Sequence, residues 1–536
     1  MRFSNSYVSS KKDNLDASII AQLAFGELQS KVPEVTGKPV MCHSCGAAVT
    51  DPSVIKDNPP VGLHFICQFC NNLNKIDELQ FNSIKAIGKG VIEYLDEIQK
   101  QMAVKDRIVA CIDISGSMNG DSLECVKKSL IETLKDISVN SPDSTFALIT
   151  FTDWVSLYSA DGNECIKLSE KNLYDENNIF QTLQNLHFKF ETVRDSYDRW
   201  IKLISRLTAI SRTALGPAVF SAFSLLQGGG RIILLTDGLA NVGIGSLISY
   251  SPGGRKGDFY REFGQRCRDA GVMVEIVGVA TSEHSSIELE TIGDMARLTG
   301  GDIYLVDKKE LSTTFNALSQ ADFIGKNVKV RIFVPPSMAL RDASGDVHFH
   351  REKRSLDAKV GYVNPDRKMC VALNVTEDLK ANEDLTVQTQ VEYTGIDGKK
   401  RIRIYNEKLH VTEKEEDIVE NFESDVSDEF YIQKAAEQGR RGHDVTGIKI
   451  LKDYAEKLQT YNTIAGNQKR ETLKKSTELI SRELEDINRL SQEKSKDARF
   501  SKYQARVSFG STSELRQESR KMRKTVALSE LEPYKP

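Results

Sequence analysis

At 536 residues the chain is too long for a single domain, on a prior of roughly 150 residues each. Hydrophobic residues make up 40% and charged residues 28%, which is ordinary for a water-soluble globular protein rather than a disordered or fibrous one. The net charge of −4, with no long basic stripe, argues against nucleic acid as the main partner, and no apolar run is long enough to span a bilayer.

Residues 1–38 carry little pattern. Ser18 to Leu28 fits a short helix, and Val32 to Val40 an extended run. Asp13 and Asp16 precede any apolar stretch, so the start of the chain is not a signal peptide and the protein is expected to be intracellular and cytoplasmic.

Residues 39–80 are expected to form a zinc ribbon. Cys42-His-Ser-Cys45 and Cys67-Gln-Phe-Cys70 are two C-x-x-C pairs, and Pro52, Pro59, Pro60 and Gly62 mark a looped excursion between them. Four thiolates would fill a tetrahedral Zn²⁺ site, leaving it structural rather than catalytic. A redox-active C-x-x-C needs only one pair, near a βαβ unit, and is the weaker reading. His43 and His64 are not needed as ligands. The other five cysteines (Cys111, Cys125, Cys165, Cys267 and Cys370) are scattered, and Cys111 and Cys370 lie in apolar strand-like runs, as reduced core cysteines do.

Residues 81–324 alternate strand and helix patterns. Ser83 to Lys105 reads as a linker or helix. The apolar run Ile108 to Ile112 reads as a buried strand, ending in Asp113-Ile-Ser115-Gly-Ser117. Leu123 to Leu134 has helical spacing, and Phe146 to Phe151 and Val155 to Tyr158 read as strands. Asp161 to Lys189 is expected to be an irregular insertion, and Trp200 to Ile210 a helix with Trp200 in the core. Thr213-Ala-Leu-Gly-Pro217 opens a helix to Leu226, and Ile232 to Leu235 is a second buried strand before Thr236-Asp237-Gly238. Residues 240–255 are rich in Gly and Ser, a loop in which Arg255 and Lys256 are candidate readers of acidic partners. Phe259 to Ala270 (helix), Val272 to Val279 (strand), Ile287 to Leu298 (helix), Ile303 to Val306 (strand) and Leu311 to Leu318 (helix) complete the alternation and imply a mostly parallel sheet covered on both faces.

Oxygen donors at the carboxyl ends of parallel strands suit a hard cation such as Mg²⁺, Mn²⁺ or Ca²⁺. Helix capping alone would explain Asp113 and the serines, but it would not require Thr213 and Asp237 as well. Asp113, Ser115, Ser117, Thr213 and Asp237 reproduce the D-x-S-x-S, Thr and Thr-Asp-Gly pattern of a metal-ion-dependent adhesion site (MIDAS), so this stretch resembles a von Willebrand factor A (vWA) domain. The resemblance implies that Ser115, Ser117 and Thr213 ligate the metal directly, that Asp113 and Asp237 act through bound water, and that one position stays open for a partner's carboxylate.

Beyond residue 325 the periodicity changes. Leu385, Val387, Thr389, Val391 and Tyr393 alternate with polar neighbours, Asp397-Gly398 marks a hairpin, and residues 325–412 read as a β-sandwich. Residues 413–500 read as helical, with Ile448, Leu451, Tyr454, Ala455 and Leu458 on one face, and residues 501–536 as a polar tail. The expected architecture is therefore an α/β vWA domain with a zinc ribbon, a β-sandwich and a helical region. That order of parts resembles the inner-coat proteins of the COPII vesicle coat, without room for their carboxyl-terminal gelsolin-like domain. The zinc-plus-A-domain half of circularly permuted Ras-like proteins is a closer likeness, although no G-x-x-x-x-G-K-[ST] is present.

The first functional expectation is a metal-dependent adaptor that engages an Asp or Glu of a protein partner. The alternative is a structural component of a larger assembly, membrane-trafficking or cytoskeletal, with a non-essential metal site. No general base or nucleophile–base pair accompanies the motifs, so an enzyme is not expected.

Overall fold

The computed structural model describes residues 1–11, 18–85, 90–96, 107–161, 163–210, 212–226, 229–248, 258–280, 287–307, 310–311, 314, 323–350 and 352–509. Arg255, Lys256, the last expected helix beyond residue 314 and the polar stretch from 510 onward lie outside them. Among the described residues no helix is long and apolar enough to cross a membrane. The chain divides into two compact units: one holds 1–103, 323–491 and 507–510, the other 104–322, 492–506 and 511–536.

The second unit is the α/β one. Its sheet runs Glu164–Ser169, Trp154–Tyr158, Thr145–Phe151, Arg107–Asp113, Gly230–Thr236, Val272–Val279 and Ile303–Val306, and the last five strands are parallel. The strand Arg107–Asp113 sits in the middle and is buried on both faces. Val109 and Cys111 enter one core, while Ile108, Ala110 and Ile112 enter the other. That two-sided burial is why it reads as a continuous apolar run rather than an alternation. Trp200 is fully buried, its ring edge-on to Phe146 at 5.1 Å, as expected of a core residue. The stretch from Asp161 to Lys189, expected to be an insertion, instead contributes the edge strand Glu164–Ser169 and a helix, Glu176–Asn185, whose Ile179 and Leu183 join the core.

The first unit contains the sandwich. One sheet orders Arg2–Phe3, Ser18–Ala24, Lys368–Val375 and Met338–Ala343. The other orders Val347–His350, Ser355–Val363, Gly325–Phe333, Asp384–Gly395, Lys400–Thr412, Ile92–Asp96 and Glu34–Thr36, with Tyr7–Ser9 added in parallel to Lys400–Thr412. Four strands from the first 38 residues, Arg2–Phe3, Tyr7–Ser9, Ser18–Ala24 and Glu34–Thr36, are thus part of the sandwich. The helix expected from Ser18 is a strand: Ile19, Ala21 and Leu23 face the sandwich core, while Ile20 meets Val426 and Phe430 of the helix Ser424–Arg440. An apolar segment buried on both sides has no period to report, and pairing with Lys368–Val375 decides its form. Ile92–Asp96 also falls here rather than in the α/β unit, because it pairs antiparallel with Lys400–Thr412.

The helices Ser424–Arg440, Asp444–Ile464 and Asn467–Ser491 pack on one another, and Leu451, Tyr454 and Leu458 are buried as their spacing predicts. The last described helix, Lys496–Phe509, runs past the expected start of the polar tail, and as far as Arg506 it belongs with the α/β unit. Its Asp497 carboxylate accepts from the backbone N–H groups of Ile287 and Leu289, both at 2.7 Å, and so caps the helix Leu289–Thr299.

Candidate functional site

The oxygen-bearing side chains singled out in the sequence gather at one rim of the parallel sheet. Asp113 ends the central strand, and Gly230–Thr236 pairs alongside it, bringing Thr236 and Asp237 to the same edge. The loop after Asp113 makes a tight 3₁₀ turn, Gly116–Met118, held down by the fully buried Met118, before the helix Asp121–Asn140 begins. This turn lifts Ser117 to the surface while Asp113 and Ser115 stay buried.

The cluster is tied together by its own hydrogen bonds. The Asp113 carboxylate accepts from the Ser115 backbone N–H at 2.9 Å and from Thr236 Oγ1 at 2.6 Å. Ser117 Oγ donates to Asp237 Oδ1 at 2.7 Å and lies 3.1 Å from Ser115 Oγ. Thr213 arrives from a separate loop. Its N–H donates to Asn241 Oδ1 at 2.9 Å, and its carbonyl accepts from the Asn241 N–H at 3.0 Å. Thr213 Oγ1 and Ser117 Oγ lie 3.6 and 3.7 Å from where a Cβ on Gly238 would stand, so they are neighbours across that glycine. Gly216 lets the following helix begin this close, since a Cβ there would meet the Ile244 carbonyl oxygen at 1.9 Å.

Three hydroxyls and two carboxylates at one partly open rim, without sulfur or imidazole, fit a hard divalent cation. The electrostatics agree. Burial holds the Asp113 carboxyl up at about 7, the nearby Asp237 charge pushes the same way, and the bonds from Ser115 and Thr236 oppose both. A bound cation would relieve that cost. Sequence reasoning gave no role to Thr236 and Asn241. Thr236 stood in the Thr-Asp-Gly motif itself, whereas nothing local marks Asn241.

The four ribbon cysteines form a second centre. Cys42, Cys45, Cys67 and Cys70 place their sulfurs within 4.8 Å of one another, with Cys42 to Cys70 and Cys45 to Cys67 both at 3.5 Å. A tetrahedron of sulfurs about 2.3 Å from zinc has edges of about 3.8 Å, so the cluster is compatible with structural zinc. The two knuckles repeat one geometry. Gly46 N–H donates to the Cys42 carbonyl and Asn71 N–H to the Cys67 carbonyl, with Gly46 and Asn71 both left-handed. Asn74 and Asn72 aim side-chain N–H groups at Cys42 and Cys70, both at 3.4 Å, which favours thiolate at those sulfurs. The hydrogen bond with Cys45 holds the Cys67 thiol below its ordinary value. His64 turns Nδ1 to the Gly62 carbonyl, away from a ligand role.

Residues 109–322 match the Sec23/Sec24 trunk domain and residues 325–412 the Sec23/Sec24 beta-sandwich domain. Circularly permutated Ras protein 1 of Dictyostelium discoideum is 24% identical over 446 residues, 75% of this chain and 51% of that protein. Protein transport protein Sec24B of Homo sapiens is 23% identical over 425 residues, 70% of this chain and 32% of that protein. The chain thus spans about half or less of the length of these relatives. Among solved structures, human COPII-coat protein Sec24c superposes with a TM-score of 0.66 at 16% identity, covering 95% of this chain and 74% of that one, a likeness of fold.

Proposed function

We propose that this chain, which carries the trunk and β-sandwich domains of the Sec23/Sec24 family, is a cytoplasmic protein-binding component of coat-type transport machinery, and that it grips a partner's Asp or Glu through a divalent cation at the sheet rim. The observation that carries the metal-dependent part is the convergence of Asp113, Ser115, Ser117, Thr213 and Asp237 from three separated stretches. Ser115, Ser117 and Thr213 would hold Mg²⁺ through their hydroxyls, and Asp113 and Asp237 would balance its charge from behind. The cation would supply a coordination position for a carboxylate. What the chain itself does is hold the hydroxyls in place: Thr236 fixes the Asp113 carboxylate, and Asn241 fixes the Thr213 backbone. A charge-assisted contact of this kind confers specificity more than raw affinity.

A second reading, a scaffold whose metal site only stabilises the fold, is favoured by the family matches and by the extent of the fold likeness. Affinity capture with wild type and Asp113→Ala, in Mg²⁺ and in Mg²⁺-free buffer, separates the two. The adaptor reading expects partners to be lost in both the variant and the Mg²⁺-free arm. Identical partners in every arm would leave the scaffold.

A further inference from the structure

Next to the loop that carries Asp113 and Ser115 lies a residue whose side chain is no part of the oxygen cluster. Ile210 is 48% exposed, yet its backbone is held on both sides, by the metal loop through its N–H and by Thr152 through its carbonyl. Its N–H donates to the carbonyl of Ile114, the residue between Asp113 and Ser115, at 2.7 Å. Its carbonyl accepts from the Thr152 hydroxyl. The Thr152 carbonyl in turn accepts from the N–H of Ala214, the neighbour of Thr213, at 2.6 Å. Ile210 is therefore locked into the frame that positions Ser115 and Thr213, with its aliphatic side chain half in water. Two residues on, Arg212 is exposed and directly precedes Thr213.

We infer that Ile210 and Arg212 are specificity residues of the metal site, and that the partner segment carries an aliphatic side chain next to its metal-binding carboxylate. The inference rests on the metal-dependent reading above. A pinned backbone has little freedom left to lose when a ligand packs on it, so an exposed isoleucine here is a pre-organised apolar contact. A lone cation–carboxylate bond discriminates poorly among acidic peptides, since Asp and Glu are common on protein surfaces. An adjoining aliphatic seat supplies the missing selectivity, and the Arg212 guanidinium disfavours segments with Lys or Arg at the same place.

The test is a selection of random dodecapeptides displayed on phage against the immobilised full chain in Mg²⁺ buffer. Bound phage are released by exchange into Mg²⁺-free buffer without chelator, which leaves the ribbon cysteines' metal untouched. Wild type, Ile210→Ser, Arg212→Glu and Thr213→Ala are run in parallel, with matched circular dichroism confirming that each folds. The wild-type pool should carry an Asp or Glu with an aliphatic residue at a fixed spacing, enriched at least about fivefold over input. Ile210→Ser should keep the acidic residue and lose the aliphatic one. Arg212→Glu should restore basic residues that wild type depletes. An aliphatic preference that survives Ile210→Ser, or is absent from wild type while the acidic residue is selected, overturns the inference and leaves the metal reading standing. A released pool with no acidic residue, or one unchanged by Thr213→Ala, overturns the metal reading and this inference with it.

Discussion

Thr236→Val should weaken divalent-cation binding although Thr236 is not a ligand. Its hydroxyl donates to Asp113 Oδ2 at 2.6 Å and also approaches the Gly238 N–H and carbonyl at 3.3 Å, tying the Thr-Asp-Gly turn to the Asp113 strand. Asp113 is fully buried, so water cannot readily replace the lost donor. Removing an outer partner that orients a metal-binding carboxylate typically costs 10- to 100-fold in metal affinity, or about 1.4 to 2.8 kcal/mol. The same substitution should cost about 1–3 kcal/mol of stability, because a buried acceptor loses its donor. Mn²⁺ titration followed by electron paramagnetic resonance reads the affinity directly, with Thr236→Ser as the variant that restores it. A folded Thr236→Val protein that binds Mn²⁺ as tightly as wild type would refute the role assigned to this hydroxyl.

Cys67→Ser should reduce zinc from one equivalent to near none by elemental analysis and open residues 39–80 to proteolysis, since Phe65 and Phe69 pack around the cysteine cluster. Burial holds the Asp428 carboxyl up at about 6, against 3.8 ordinarily, while it accepts from Tyr454 at 2.7 Å. Because the folded value is the higher one, ionisation opposes folding: stability is lost as pH rises from about 4 through about 6 and stays lower above that. Asp428→Asn should therefore melt higher than wild type at pH 8 by up to about 3 kcal/mol of stabilisation and match it near pH 4; equal melting at both pH values would contradict this. Asp497→Ala should cost about 1–2 kcal/mol and lower hydrogen-exchange protection at the start of Leu289–Thr299, where the Ile287 and Leu289 N–H groups each lose an acceptor. Unchanged protection there would mean the cap contributes nothing.

The amino-acid sequence by itself determined which side chains gather at the sheet rim and in the ribbon. The two C-x-x-C pairs and the D-x-S-x-S, Thr and Thr-Asp-Gly pieces are local, because each follows one strand end or fills one knuckle. The buried strands around them were legible for the same reason: Ile108 to Ile112 and Ile232 to Leu235 are apolar throughout, and only a strand covered on both faces tolerates that. Tertiary structure alone decided what depends on partners remote in the chain. Ser18–Ala24 is a strand because Lys368–Val375 pairs with it, and Ile92–Asp96 joins the sandwich because Lys400–Thr412 does. Asn241 supports Thr213, and Asp497 caps a helix that begins more than 200 residues earlier in the sequence. Hydrogen bonds and register between distant segments leave no periodicity in either one, so they become visible only when the chain is folded.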